Sequence, residues 1–529
     1  MTLTRPKALL IVLLFWAAVY LPGLGAEELY STEETRVLPA MEMLKSGDWI
    51  LPTFGGQEYH NKPPGYNWLI AGTFAITGQR SELIARLPSV AFMLLFAFML
   101  VGMKAPWPNL SGRLIAAVVF LTGMGMINAG RRAEIEAVYV AVTGMAIFWW
   151  LSAYLRGSSR WSLWIVPALL LAYGGLVKGP ILGVIFYAAI IAVLFYAKRL
   201  KDLLAWQHLL GIILILVICL GWVYLAYERS SAASEMVSRW GKQWLVRVEP
   251  DKEHSVNWGK NVALSLANLL PWLPLVPLWW LKRFTSGLEG RQVAVFKGCR
   301  LAAVVCFVLI DALPATMDRY SLPVYPLIAL LTGCVLAGHL IPLPSDRFWK
   351  GGVLAASVGL CGTAAAGLYW RYTGAGPWAA AATVAIAGGV WLVAAKLQGG
   401  LRLALATAAV MAVAALQYAT FYSPFLPLKF RPTAAAFNAA VPAGQTLYCY
   451  QPQKEPLMFY LREPMEYLFR PKEIDASVRY MVIRTLQLDD PKIAGGIAPR
   501  AVKSLGRYKG RKDVEYQLVQ LTPGGKTQP

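Results

Sequence analysis

Residues 30–68, YSTEETRVLPAMEMLKSGDWILPTFGGQEYHNKPPGYNW, interrupt a very apolar chain directly after its first hydrophobic run. Carboxylates, an arginine, lysines, aromatics and turn residues crowd between a run ending near residue 24 and another beginning near residue 83. The meaning of the stretch depends on its flanks. Of 529 residues, 57% are hydrophobic and only 15% charged, and the mean hydropathy is +0.49. That balance lies far from an ordinary soluble domain. The chain reads as a polytopic α-helical membrane protein, and residues 30–68 as a polar loop held at the edge of lipid.

A crossing helix needs about 20 mostly apolar residues. Candidate runs centre on 8–24, 83–103, 113–130, 137–155, 161–177, 180–197, 208–227, 261–281, 298–314, 321–341, 351–369, 377–395 and 401–422. The length rule therefore gives about 13 transmembrane helices. Lys178, Gly179 and Pro180 divide the run from 161 to 197, which is too long for one crossing. The net charge of +21 would suggest nucleic acid in a soluble protein. Here the basic residues lie mostly in short alternate connectors: Arg5 and Lys7, Lys104 and Arg113, Arg156 and Arg160, Lys198 to Lys201, Lys282 to Arg300, Arg347 and Lys350, and Lys396 and Arg402. Such connectors orient spans with the basic side in the cytoplasm, so no nucleic-acid partner is expected. The first run, with Arg5 and Lys7, could also be a signal peptide, but no small-residue cleavage site precedes a soluble domain. It is read as a membrane helix. The six cysteines show no CxxC or metal spacing and fall mostly in apolar runs, as packing residues do.

An odd number of crossings puts the C-terminal tail outside. From Ser423 the chain turns polar and carries strand-like runs at 446–450, 480–484 and 515–521, which predict a small C-terminal α/β domain over 423–529. The membrane domain then covers 1–422, with outer loops at 25–82 and 228–260. Trp240, Trp244 and Trp258 among basic residues give the second loop the look of an interfacial amphipathic segment.

The outer loops collect a different set of charges: Glu33, Glu34, Arg36, Tyr59, His60 and Lys62; Arg131, Arg132, Glu134 and Glu136; Lys178; Asp318, Arg319 and Tyr320; and Arg371. Several sit at the ends of apolar spans, where a charge is costly unless paired or facing a wet cavity. Lys and Arg at that level suit a lipid-linked phosphate, and a carboxylate beside them suits a general base toward a hydroxyl. Each piece also has a plainer reading. The two adjacent glutamates could be helix N-terminal acids. Lys62 could be a solvated loop charge, and residues 131–136 a surface ion-pair cluster. Asp318 and Arg319 could be a local salt bridge. Lys178, alone between two long apolar runs in GGLVKGP, is the hardest to read as solvated surface. His60 and His254 could meet at a divalent metal, yet they lie far apart and no HExxH spacing supports it. The sequence requires no cofactor.

These segments resemble the membrane-embedded, lipid-carrier-dependent glycosyltransferases of the GT-C class, particularly the bacterial lipid A aminoarabinose transferase family and its protein O-mannosyltransferase relatives. EETRVLPAMEML, SGDWILP and YHNKPPGYNWL stand in the order and spacing of that family's first outer loop. GRRAEIEAVYVAVTGMA at 130–146, GGLVKGP at 174–180, LLPWLPLVP at 269–277 and DRYSLPVYPLIALL at 318–331 extend the likeness across roughly residues 1–422. The resemblance implies transfer of a sugar, with inversion, from a polyprenyl-phosphate donor to an envelope acceptor: lipid A or its core, another glycan, or protein. It implies a bacterial cytoplasmic membrane, with the active site and tail facing the periplasm. It makes Glu33 the base, with Glu34 orienting it or a bound group, or taking the base role itself. It places Arg36, Tyr59, Lys62 and Lys178 at the carrier phosphate, and Arg319 with Tyr320 where the family has another basic or aromatic contact; Arg131, Arg132 and Glu136 complete the expected substrate-binding set. Glu33 stands where the family has aspartate, one methylene shorter, while Val37 and Asn61 replace a tyrosine and an acid frequent in the aminoarabinose enzymes. The alternative from another class is a flippase for the same lipid-linked sugar. Flippases and transporters commonly carry internal repeats, and no clear repeat is seen.

Overall fold

The computed structural model describes residues 3–29, 32–104, 107–231, 233, 257–282, 287–337, 399–418, 430–452, 456–488, 502–509 and 515–522. The expected spans at 351–369 and 377–395, together with Trp240, Trp244, His254 and Arg371, lie outside them. The chain separates into two compact units: Met1–Ala26 with His60–Phe425, and Glu27–Tyr59 with Leu426–Pro529. This division differs from one drawn at residue 423, because it groups much of the first polar loop with the tail.

The first unit is helical: α1 (Arg5–Tyr20), α3 (Gly65–Thr77), α4 (Glu82–Gly102), α5 (Leu110–Thr122), α6 (Met124–Gly130), α7 (Ile135–Arg156), α8 (Arg160–Lys178), α9 (Ile181–Tyr196), α10 (Trp206–Arg229), α11 (Trp258–Ala267), α12 (Arg291–Asp311), α13 (Tyr325–Ala337) and α14 (Gly399–Gln417). Among the described residues, α4, α7, α8, α10 and α12 are long and apolar enough to cross a membrane, and α5 with α6, bent by 65°, makes a sixth. The protein is a polytopic helical membrane protein. Helix starts follow from the sequence. Ser81 and Asn109 cap α4 and α5 by accepting from the amides of Ile84 and Gly112 at 3.3 and 2.9 Å. The α5–α6 bend falls at Gly123, where an added Cβ would lie 1.9 Å from the Tyr325 hydroxyl. The glycine lets α13 come that close.

Burial separates the helices by role. Of α7's most apolar window, 83% is buried, against 17% for α10. Thus α7 is the core of the unit and α10 shows its apolar surface to lipid. The run at 261–281 departs from the single span that its hydropathy predicts. It forms α11 followed by turns and a 3-10 helix, Leu273–Trp280. Pro271, Pro274 and Pro277 remove the amide donors that a continuous α-helix needs.

In the second unit, α2 (Glu34–Ser46) is followed by a two-stranded hairpin, β1 (Thr53–Phe54) and β2 (Gln57–Glu58). Among the described residues, the tail contributes α15 (Phe430–Ala440) and five strands: β3 (Leu447–Tyr450), β4 (Met465–Leu468), β5 (Tyr480–Arg484), β6 (Val502–Lys509) and β7 (Glu515–Leu521). Their order is β4-β3-β5-β7-β6. β3 runs parallel to β4 and β5, while β7 runs antiparallel to β5 and β6. Tyr450, Met481, Ile483 and Val519 are in its core. The Glu28 carboxylate accepts from the amides of Phe430 and Arg431 at 2.9 and 2.6 Å, an acid at the N-terminus of α15.

Candidate functional site

The connector between α7 and α8 is only residues 157–159, so the two helices form an antiparallel hairpin and the first turn of α7 meets the last turn of α8. Glu136 is in that first turn and Lys178 ends α8, the helix ends at which an acid and a cation are each favoured. Lys178 Nζ donates to Glu136 Oε1 at 3.0 Å, with both side chains less than a tenth exposed. Arg319, on the turn after α12, brings its Nε to 3.4 Å from the same oxygen. One buried carboxylate thus joins two cations. The rings of Tyr139 and Tyr320 each lie 5.5 Å from the ammonium, within cation–π range.

Gly179, at φ +111°, turns the chain out of α8 in a conformation that disfavours a side chain. The Tyr139 hydroxyl fastens this turn: it donates to the Gly179 carbonyl at 3.0 Å and accepts from the Leu182 amide at 2.7 Å. Beneath it is a cavity of about 390 Å³. Lys62, Asn61, Tyr139, Lys178 and Tyr320 line it, and Leu171, Leu182, Ile215 and Leu216 are among its apolar walls. Leu216 is half exposed on α10, so the wall is also lipid-facing surface. A pocket that joins cations to an apolar wall beside lipid can take an anionic head on a hydrocarbon tail.

Other expected site residues are held differently. Arg131 donates to the carbonyls of Val19 and Pro22 at 2.7 and 2.6 Å, tying the end of α1 to the end of α6. Arg132 pairs with Glu134 at 4.0 Å. At the far end of α7, Arg291 donates to the Tyr154 carbonyl at 2.9 Å, so the basic connectors containing Arg156, Arg160 and Arg291 lie about 30 Å from Glu136 by the rise of a 22-residue helix.

In the second unit, Glu33 immediately precedes α2 and Glu34 opens it, and both are fully buried. Arg36, on the same helix, donates to the Tyr59 hydroxyl at 2.9 Å. Glu42, which the sequence reading passed over, accepts from the Thr53 hydroxyl at 2.6 Å and from the amides of Gly55 and Gly56 at 2.6 and 3.1 Å. Burial pushes its carboxyl above the ordinary range, against the pull of those bonds and one from Tyr467. Its signal was an acid eight residues from Glu34 on the buried side of α2. Tyr139 was also passed over; its signal was its place one helical turn after Glu136. His60 is buried, and among the described residues no group of three or more His, Cys, Asp or Glu is arranged to hold a metal.

The sequence pattern of the dolichyl-phosphate-mannose-protein mannosyltransferase family matches residues 61–224, which contain Lys62, Glu136 and Lys178. Undecaprenyl phosphate-alpha-4-amino-4-deoxy-L-arabinose arabinosyl transferases are similar over about two thirds of the chain. That of Pectobacterium atrosepticum is 26% identical over 68% of this chain and 66% of its own length. That of Pseudomonas aeruginosa is 27% identical over 64% and 60%. The chain therefore aligns with a little under two thirds of these relatives' lengths. In fold, the crystal structure of ArnT from Cupriavidus metallidurans bound to undecaprenyl phosphate covers 99% of this chain and 100% of its own, with a TM-score of 0.72 and 18% identity. Its apo state gives 0.68 at 17% identity. In sequence and fold, the chain is similar to the GT-C-class transferases of polyprenyl-phosphate-linked sugars. The similarity in fold includes the tail, where the sequence resemblance had thinned to position and apparent class.

Proposed function

We propose that this protein is an integral-membrane glycosyltransferase that moves a sugar from a polyprenyl-phosphate carrier to an envelope acceptor: lipid A or its core, another glycan, or protein. The observation that carries the reading is the Lys178–Glu136–Arg319 cluster beside a cavity with a Lys62 rim and apolar walls. The acceptor hydroxyl attacks the anomeric carbon and its proton passes to Glu33, with Glu34 orienting that carboxylate. The bond from the anomeric carbon to the phosphate oxygen breaks with inversion, and polyprenyl phosphate leaves with its charge raised from one to two. Lys62, Lys178 and Arg319, with Tyr320, hold that phosphate as the charge develops. Arg36 and Tyr59 assist it, and Arg131, Arg132 and Glu136 support the substrate site. The basic connectors at the far ends of the long helices support a topology of about 13 crossings, with the site and the C-terminal α/β domain on the periplasmic side of the bacterial cytoplasmic membrane.

Mass spectrometry of envelope lipids, glycans and proteins with and without this protein tests the reading: the added mass names the sugar and the fraction names the acceptor. Glu33→Gln is expected to lower transfer by about 10²–10⁴-fold, as for loss of a general base, with carrier binding kept. Lys62→Ala is expected to weaken carrier binding. If both variants, expressed at wild-type levels, transfer sugar normally, these roles are wrong. Proteoliposomes that translocate the donor and never form product would make the protein a flippase instead.

A further inference from the structure

Arg319 reaches Glu136 from a segment, residues 312–320, that is built of turns and has no regular secondary structure. Carbonyls in such a segment between apolar helices need donors. A polar stripe supplies donors to two of them, Thr316 and Asp318, and to Asp311 just before the segment. Trp258, Asn261 and Ser265 of α11 and Asn268 at its C-cap are spaced by three, four and three residues, which sets them along one face. Trp258 Nε1 donates to the Asp311 carbonyl at 2.9 Å, Asn261 Nδ2 to that of Thr316 at 2.8 Å, and Asn268 Nδ2 to that of Asp318 at 2.9 Å. Ser265, fully buried, lies 3.1 Å from the Asp311 carboxylate and 3.3 Å from the Asp318 carbonyl.

Asn268 also faces the other way. Its own carbonyl accepts from the Gly125 amide at 3.0 Å, and the adjacent Met124 amide donates to the Leu270 carbonyl at 2.9 Å. Gly125 belongs to α6, which ends six residues before Glu136. One residue therefore fastens the carbonyl immediately before Arg319 and also the helix leading toward Arg319's carboxylate partner.

We propose that Asn268 and the stripe on α11 are positioning residues for Arg319: they fix its approach to Glu136 and hence to a carrier phosphate. The inference rests on the carrier-phosphate reading above. A purely structural strap would stabilise the fold without regard to Arg319, so the decisive measurement is made with and without that side chain.

The test is titration of the full-length protein in detergent with undecaprenyl phosphate, followed by native mass spectrometry. Asn268→Leu is expected to weaken binding by about tenfold, the scale of one lost buried hydrogen bond. In an Arg319→Ala background the same change is expected to shift binding by less than about twofold, because the two effects share one path. Asn261→Leu is expected to repeat the pattern and carries the test should Asn268→Leu fail to fold. Binding unaltered by these changes, or a loss as large without Arg319 as with it, overturns the proposal. Asn268-dependent binding with no transferred sugar would sink the glycosyltransferase reading and leave the positioning role standing. Normal transfer with binding indifferent to Asn268 and Asn261 would do the reverse.

Discussion

Glu136→Gln keeps the shape of the side chain and removes one charge from the centre of the site. Glu136 Oε1 lies 3.0 Å from Lys178 Nζ and 3.4 Å from Arg319 Nε. At an effective dielectric of about 20, the two attractions are roughly 5.5 and 5 kcal/mol gross. Desolvation offsets much of that, and Arg319, a third exposed, is screened further. The net loss is set mainly by the buried pair with Lys178, and removing one partner of such a pair costs about 3–5 kcal/mol. The empty variant is therefore expected to melt below wild type. The effect on binding has the opposite sign. On the proposed reading, the carboxylate of the empty protein competes with the carrier phosphate for two cations, and in the variant it no longer does. One charge-assisted hydrogen bond gained by the phosphate is worth about 1.5–3 kcal/mol, or roughly 10- to 100-fold in affinity. The paired assay is thermal unfolding without ligand and titration with undecaprenyl phosphate. A less stable empty protein that binds the carrier phosphate more tightly, and turns over more slowly because the leaving group is retained, is the expected result. Unchanged stability together with weaker or unchanged binding would refute the competition.

Tyr139→Phe removes the hydroxyl that joins Gly179 to Leu182 and keeps the ring beside Lys178. It is expected to destabilise by about 1–3 kcal/mol, the cost of leaving buried partners unsatisfied, and to raise the donor KM more than it lowers kcat. A variant with unaltered melting and kinetics would remove the hydroxyl from any account of how Lys178 is set. Glu42 gives a pH dependence in the second unit. Its folded carboxyl is held above the ordinary value by burial, so the folded state keeps the proton to higher pH than the unfolded chain. Its contribution to stability is full below the unfolded value and is lost as pH rises through the raised folded one. Amide exchange in the 53–58 hairpin, corrected for intrinsic rates, is expected to lose protection over that rise, and Glu42→Gln is expected to flatten the slope. An identical slope in the variant would count against it.

Much of the helical unit was legible because hydropathy and end signals agree. The division at Lys178–Gly179–Pro180 appears as a turn between α8 and α9, and the runs at 83–103 and 137–155 lie within a residue or two of α4 and α7. The run at 261–281 misled because a hydropathy window does not register that three prolines remove donors. In the tail, YMVIR and EYQLVQL read as strands because their residues are apolar and β-branched or aromatic. β4 and β6 did not, since MEYL is short and VKSLGRYK is polar, with Gly506 at an irregular register. At the site, Lys178 stood out as a charge isolated between apolar runs. Its partner Glu136 lies 42 residues before it, and the Arg319 that shares that carboxylate lies 183 residues after Glu136, a juxtaposition that only packing supplies. Asn268 carried no signal at all, because one asparagine near a proline-rich apolar run is an ordinary loop residue until its carbonyl partner is known.

On the proposed reading, the charge of the site bears on why a carboxylate belongs among cations that take a phosphate. Lys178 and Arg319 would repel each other in a low dielectric, and in an empty site each needs a partner. Glu136 gives both of them one and leaves the trio with a single positive charge, the match for a phosphodiester donor with one negative charge. When the glycosidic bond breaks, the leaving phosphate gains a second charge. Lys62, on the same cavity, adds a third cation and brings the four side chains to two positive charges. For the proposed transfer, the site so composed complements the charged product better than the donor, which is the condition for lowering a barrier rather than only binding a substrate. Without Glu136 the same cations would hold three charges against two, favouring retention of the product over its release.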